Sequence, residues 1–96
     1  MNGVRGETAI SIGGREISLC LTLGALAEIE TAFGCTSLAE LQARLRTLSG
    51  GELQTVLAIL IGAAGLGADE ARELSARAPA GLAAGAVADA FHAALG

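Results

Sequence analysis

Residues able to do chemistry are few and scattered: one histidine, His92, two cysteines, Cys20 and Cys35, and the run Leu48-Ser49-Gly50-Gly51-Glu52. That run, LSGGE, matches the signature segment of nucleotide-hydrolysing transport ATPases, which holds phosphate against a helix N-terminus. Such chemistry also needs a Walker A glycine loop with its lysine. The chain carries 6 Lys+Arg in all, every one an arginine, and no strand ending in a Walker B aspartate. LSGGE is therefore predicted to be a turn and a helix start. His92 and two distant cysteines lack the ligand number and spacing of a zinc site. No local motif pairs His92 with a cysteine nucleophile. Glu28 and Glu30 stand two apart on a predicted helix, so they point in different directions and do not form an acid–base pair. No catalytic, cofactor-binding or metal-binding residue is assigned, and the chain is expected not to be an enzyme.

The elements that position these groups are legible from periodicity. Ile10 and Ile12 alternate with Ala9 and Ser11, and Ile17, Leu19 and Leu21 alternate with Glu16, Ser18 and Cys20. A two-residue Gly13-Gly14 loop pairs Ile10 with Ile17 and Thr8 with Leu19 on one face. An odd loop without a bulge would send the second strand's apolar residues to the opposite face. A lone hairpin is marginal in water, so helices must cover it.

Thr22 is the expected N-cap of a first helix that carries Leu23, Leu26, Ile29 and Phe33 and ends at Gly34. Ser37 and Glu40 are spaced as a capping box opening a second helix, with Leu38, Leu41, Leu45 and Leu48 as its buried stripe. Ser49 and Glu52 repeat that spacing before a third helix, which is apolar almost all round and is expected to end at Gly62, Gly65 and Gly67. A helix with so little polar face lies in the core or under a partner. Asp69 and Glu70 mark a short fourth helix. After Pro79, a last alanine-rich helix presents Leu82, Val87, Phe91 and Leu95. The predicted fold is α+β, mainly α: a hairpin over residues 5–22, then a compact bundle of four to five helices over 23–95.

The 96 residues are expected to form a single domain, 1–96, able to bury about 60–68% of the unfolded surface. Hydrophobic residues make up 52% and aromatics 2%, so the core must be aliphatic with small side chains. The net charge of -4 works against binding to nucleic acid phosphates. The longest apolar run, Val56 to Leu66, is shorter than the ~20 residues a membrane span needs. No charged start followed by an apolar stretch marks a signal peptide, so a cytoplasmic protein without membrane contact is expected. A helix between Cys20 and Cys35 would separate them by something like 15–20 Å, beyond the about 7 Å of a disulfide. Both are expected to be free thiols.

The segment VRGETAISIGGREISLCLTLGALAEIETAFGCTSLAEL, from Val4 to Leu41, resembles the start of the small tail assembly chaperones of gene transfer agents and siphophage-type particles. The shared features are the Arg5-Gly6-Glu7 opening, the hairpin, the helix entry from Leu21 to Glu30, and the step from Gly34 to Ser37-Leu38. The likeness covers residues 4–48, with pattern and length alone beyond. It implies a protein that binds the long, helical tape-measure protein, and through it meets the tail-tube protein that later polymerises. Masking apolar helix faces would keep that partner from aggregating. Periodicity leaves a closed core and an open groove equally compatible, as it leaves self-association open. From the apolar faces alone, the candidate partner contacts are Leu57, Ile61, Val87 and Phe91, taken as exposed members of the third and last helices. Two other readings stay open: a small structural tail or head-completion subunit retained in the particle, and a generic cytoplasmic protein-binding module.

Overall fold

A computed structural model of the chain describes residues 7–95. Residues 5 and 6 of the expected hairpin, and with them most of the Arg5-Gly6-Glu7 opening, lie outside the described residues. Strands β1 (Glu7–Ile12) and β2 (Arg15–Cys20) form an antiparallel pair in which Ile10 faces Ile17 and Thr8 faces Leu19. Gly13 and Gly14 make the turn at φ 60° and 79°, the positive values a type I′ loop demands at both central positions. Ile10, Ile12, Ile17 and Leu19 are buried on one face, while Ser11, Glu16 and Ser18 face solvent. The parity argument thus yields the observed register.

Five helices follow the hairpin: α1 (Leu23–Phe33), α2 (Leu38–Arg44), α3 (Gly50–Ala63), α4 (Ala68–Arg77) and α5 (Ala80–Leu95). Their ends follow local chemistry. The Thr22 hydroxyl accepts the Ala25 N–H at 3.0 Å, and Gly34 closes α1 in the left-handed conformation at φ 68°. At α3 the box is complete: Ser49 Oγ accepts the Glu52 N–H at 3.2 Å, and Glu52 Oε1 accepts the Ser49 N–H at 2.9 Å. At α2 it is half made. Ser37 Oγ accepts the Glu40 N–H at 3.1 Å, but the Glu40 carboxylate reaches one residue further, to the Thr36 N–H at 2.7 Å and the Thr36 hydroxyl at 3.0 Å. Thr36 offers two donors where Ser37 would offer one.

Helix α3 is the centre of the molecule, packing against β2, α1, α4 and α5, while α5 covers β1. Val56, Leu57, Leu60 and Ile61 are fully buried along it. The same core cluster holds Ile29 of α1, Leu41 of α2, Leu74 of α4, and Ala83, Ala90 and Phe91 of α5. Alanines on α5 let it approach closely, as an aliphatic core almost without aromatics requires.

Four expectations about the helices are corrected. Leu23, read with Leu26, Ile29 and Phe33 as one apolar stripe of α1, is 82% exposed. Of the stripe Leu38, Leu41, Leu45 and Leu48, Leu41 alone is buried, because α2 ends at Arg44 and a 3-10 turn follows over Leu45–Thr47. That tighter winding turns Leu45 and Leu48 partly out of the core. Helix α3 continues through Gly62 to Ala63, and the chain reverses at Gly65 with φ 123°. On α5 the buried face is Ala83, Ala86, Val87, Ala90 and Phe91, while Leu82 and Leu95 are exposed.

Candidate partner-binding groove

Helices α1 and α4 flank α3 without closing over it. Between them runs a groove of about 910 Å³, floored by Ala58, Ile59, Gly62 and Ala63 of α3. One wall is α1, with Ala25, Glu28 and Ala32; the other is α4, with Ala71, Arg72 and Ser75. The floor lies on the face of α3 opposite Val56, Leu57, Leu60 and Ile61, which explains why the helix is apolar on both sides. One side faces the core and the other faces the groove. Residues 54, 55, 58, 59, 62 and 63 stay half-buried or exposed.

The uncharged polar side chains along the groove are Thr22, Thr31, Gln54, Thr55 and Ser75. The Thr55 hydroxyl donates to the Gly51 carbonyl at 3.0 Å, and the Ser75 hydroxyl donates to the Arg72 carbonyl at 2.9 Å. Its charged groups sit on opposite rims, Glu28 on α1 and Arg72 on α4. Arg72 also holds Asp69 one turn earlier at 2.6 Å, an exposed pair open to water. A smaller crevice of about 230 Å³ lies between α5 and the start of α3, bordered by Leu48, Leu53, Val87 and Phe91.

The four residues proposed as partner contacts lie elsewhere than expected. Leu57 and Ile61 are 0% exposed and belong to the core beneath the groove. Val87 and Phe91 are also buried, at 5% and 8%, with only an edge reaching the smaller crevice. Their expected exposure is corrected: each faces the hairpin or α3, where apolar area is removed from water. The groove residues Ala58, Ile59 and Gly62 were missed. Gly62 was expected to end the helix, and its place one turn after Ala58 on the same face became visible only with α3 running to Ala63.

The remaining reactive groups are not brought together. His92 is exposed on the last turn of α5. Cys20 and Cys35 are free thiols, and burial, with the neighbouring Glu7 charge, pushes the Cys20 thiol up from its ordinary value. In LSGGE, the Glu52 carboxylate already occupies the amide that a phosphate would seek. The Ser49 N–H bond, and after it Arg44, hold that carboxyl below the usual glutamate range. Among the described residues, no three His, Cys, Asp or Glu side chains gather as a metal ion requires, and no helix is long and apolar enough to cross a membrane.

The model of one family, described as phage tail tube protein, GTA-gp10, matches residues 5–96. This chain belongs to that family. The match runs past residue 48, so the helices that build the groove fall inside the GTA-gp10 unit together with the hairpin. No curated protein and no solved structure matches the chain. Membership makes it a phage-type, gene-transfer-agent tail protein.

Proposed function

We propose that this tail protein is a non-catalytic assembly chaperone that binds the tape-measure protein in the cytoplasm and keeps it soluble until tail-tube subunits polymerise around it. The open groove over α3 carries this reading: Ala58, Ile59, Gly62 and Ala63 on the outer face of the central helix are left half-buried between α1 and α4. The likeness of residues 4–48 to tail assembly chaperones supports the same reading. No nucleotide is required, since reversible apolar contacts suffice to mask a helix and yield it later to a polymer.

Co-expression with the tape-measure protein of the same gene cluster tests it. The expected result is a soluble complex, with the tape-measure protein aggregating when made alone. An insoluble tape-measure protein with or without this chain would end the chaperone reading.

A small structural subunit retained in the tail is the second reading, and the family's description as a tail tube protein favours it. Protein composition of purified particles separates the two. A chaperone is depleted there, whereas a subunit is present in fixed ratio to the tube.

A further inference from the structure

We propose that the groove between α1 and α4 takes one amphipathic helix of the partner, lying along α3 with small or mid-sized aliphatic side chains inward. Its flank toward Glu28 carries a basic residue and its flank toward Arg72 an acidic one. This rests on the chaperone reading and adds the chemistry of what the groove holds.

The walls decide for a helix over a strand. All three lining elements are helices, whose backbone groups are bonded internally. An extended peptide buried among them would leave its own N–H and C=O groups without partners, whereas a helix satisfies its own. The floor from Gln54 to Ala63 runs roughly 14 Å, the length of about ten helical residues. Ala58, Gly62 and Ala63 along it, and Ala25 and Ala71 at the sides, permit a close approach of axes.

A second copy is the competing occupant, which the dimer test below separates. The exposed large hydrophobics Leu23, Leu38, Leu82 and Leu95 sit at the ends of α1, α2 and α5, and make no continuous stripe on any one helix. Glu28 on α1 and Arg72 on α4 lie on opposite walls, so a helix with unlike flanks places a partner charge beside each.

The probe is a synthetic stapled helix of about 15 residues, long enough to stay helical, with an Ala/Leu stripe between one Lys flank and one Glu flank. Titrated into the isotopically labelled protein, it is expected to shift the amide signals of Ala58, Gly62 and Ala63. A peptide with two acidic flanks is expected to bind several-fold more weakly. Gly62→Gln fills the groove, and a Cβ there meets nothing within 4 Å, so the fold is kept. It should weaken binding by about tenfold or more, some 1.4 kcal/mol. Gly85→Gln, on α5 and equally unobstructed, should bind as the parent does.

Unchanged binding by Gly62→Gln, or signal shifts confined to the hairpin or α5, would overturn the proposal. So would a parent dimer that Gly62→Gln converts to monomer, because the occupant would then be a second copy. The two levels separate cleanly. Peptide binding without capture of the tape-measure protein keeps the groove and removes the chaperone reading. Capture that Gly62→Gln leaves intact removes the groove alone.

Discussion

Arg44, the last residue of α2, bonds the same Glu52 carboxylate that closes the capping box of α3. Its guanidinium also stands over the Phe33 ring at 5.3 Å. One side chain thereby ties the end of α1, the end of α2 and the start of α3. An arginine is suited to this, because its planar group stacks on an aromatic face while its edge bonds a carboxylate. Arg44→Ala is expected to lower the thermal midpoint, with the Phe33 contact alone contributing about 0.5–1 kcal/mol. Arg44→Lys should recover only part, since it loses the planar stack. A double-mutant cycle with Glu52→Gln should show non-additive losses; simple additivity would mean that the pair does not act as a joint.

Both capping glutamates are held below their ordinary range, Glu52 by the Ser49 N–H and then Arg44, Glu40 by the N–H and then the hydroxyl of Thr36. A carboxyl whose folded pKa is depressed contributes stability that is present above its unfolded pKa. That stability is lost as pH falls through the folded value. The thermal midpoint should therefore decline on acidification from the ordinary glutamate range downward. The gap between the parent and a Glu40→Gln/Glu52→Gln protein should close over the same interval. A gap that stayed constant down to about pH 3 would assign the loss to other carboxylates.

The hairpin turn gives a test free of packing effects. Gly14 has φ 79°, and a Cβ built there meets nothing within 4 Å. Gly14→Ala therefore carries backbone strain alone, expected at about 1–2 kcal/mol. Gly14→Asn should be milder, because asparagine tolerates the left-handed region. Equal loss for both in denaturant unfolding would argue against a type I′ turn. If the strain is relieved by a slip of register instead, Ile17 and Leu19 would leave the face they share with Ile10.

What the sequence revealed, and what it hid, follows from the range of each signal. Period-two alternation and the Gly13-Gly14 loop specify pairing between residues a few positions apart, so the register was legible. Caps are as local, and Thr22, Ser37, Ser49 and Gly34 all act where their types imply. Glu40 deviates because its neighbour Thr36 competes for the same carboxylate. The site was not legible for a different reason. Helix α3 is apolar on two faces, and nothing local says which one α1 and α4 leave open. Leu57 and Ile61 are large enough to suggest an anchor, yet large aliphatic residues are what a core with two phenylalanines must use. Gly62 was expected to end α3, but it lies within the helix, and its smallness with that of Ala58 leaves the groove open.

The two faces of α3 should separate on mutation. Leu57 is fully buried, so Leu57→Ala should remove about 2–5 kcal/mol, a large part of the about 5–15 kcal/mol that holds a domain of this size together. Any loss of partner binding by Leu57→Ala should then track the unfolded fraction and be recovered on cooling toward the temperature of maximum stability. Ile59, half-buried on the groove floor, has part of its surface in water already. Ile59→Ala should cost less, roughly 1–2 kcal/mol, since less apolar area is lost from burial. Its effect on binding should persist when the protein is fully folded. Unfolding curves and partner titrations on the same two variants decide the matter: loss of binding in step with stability for both would place the contact surface off α3 altogether.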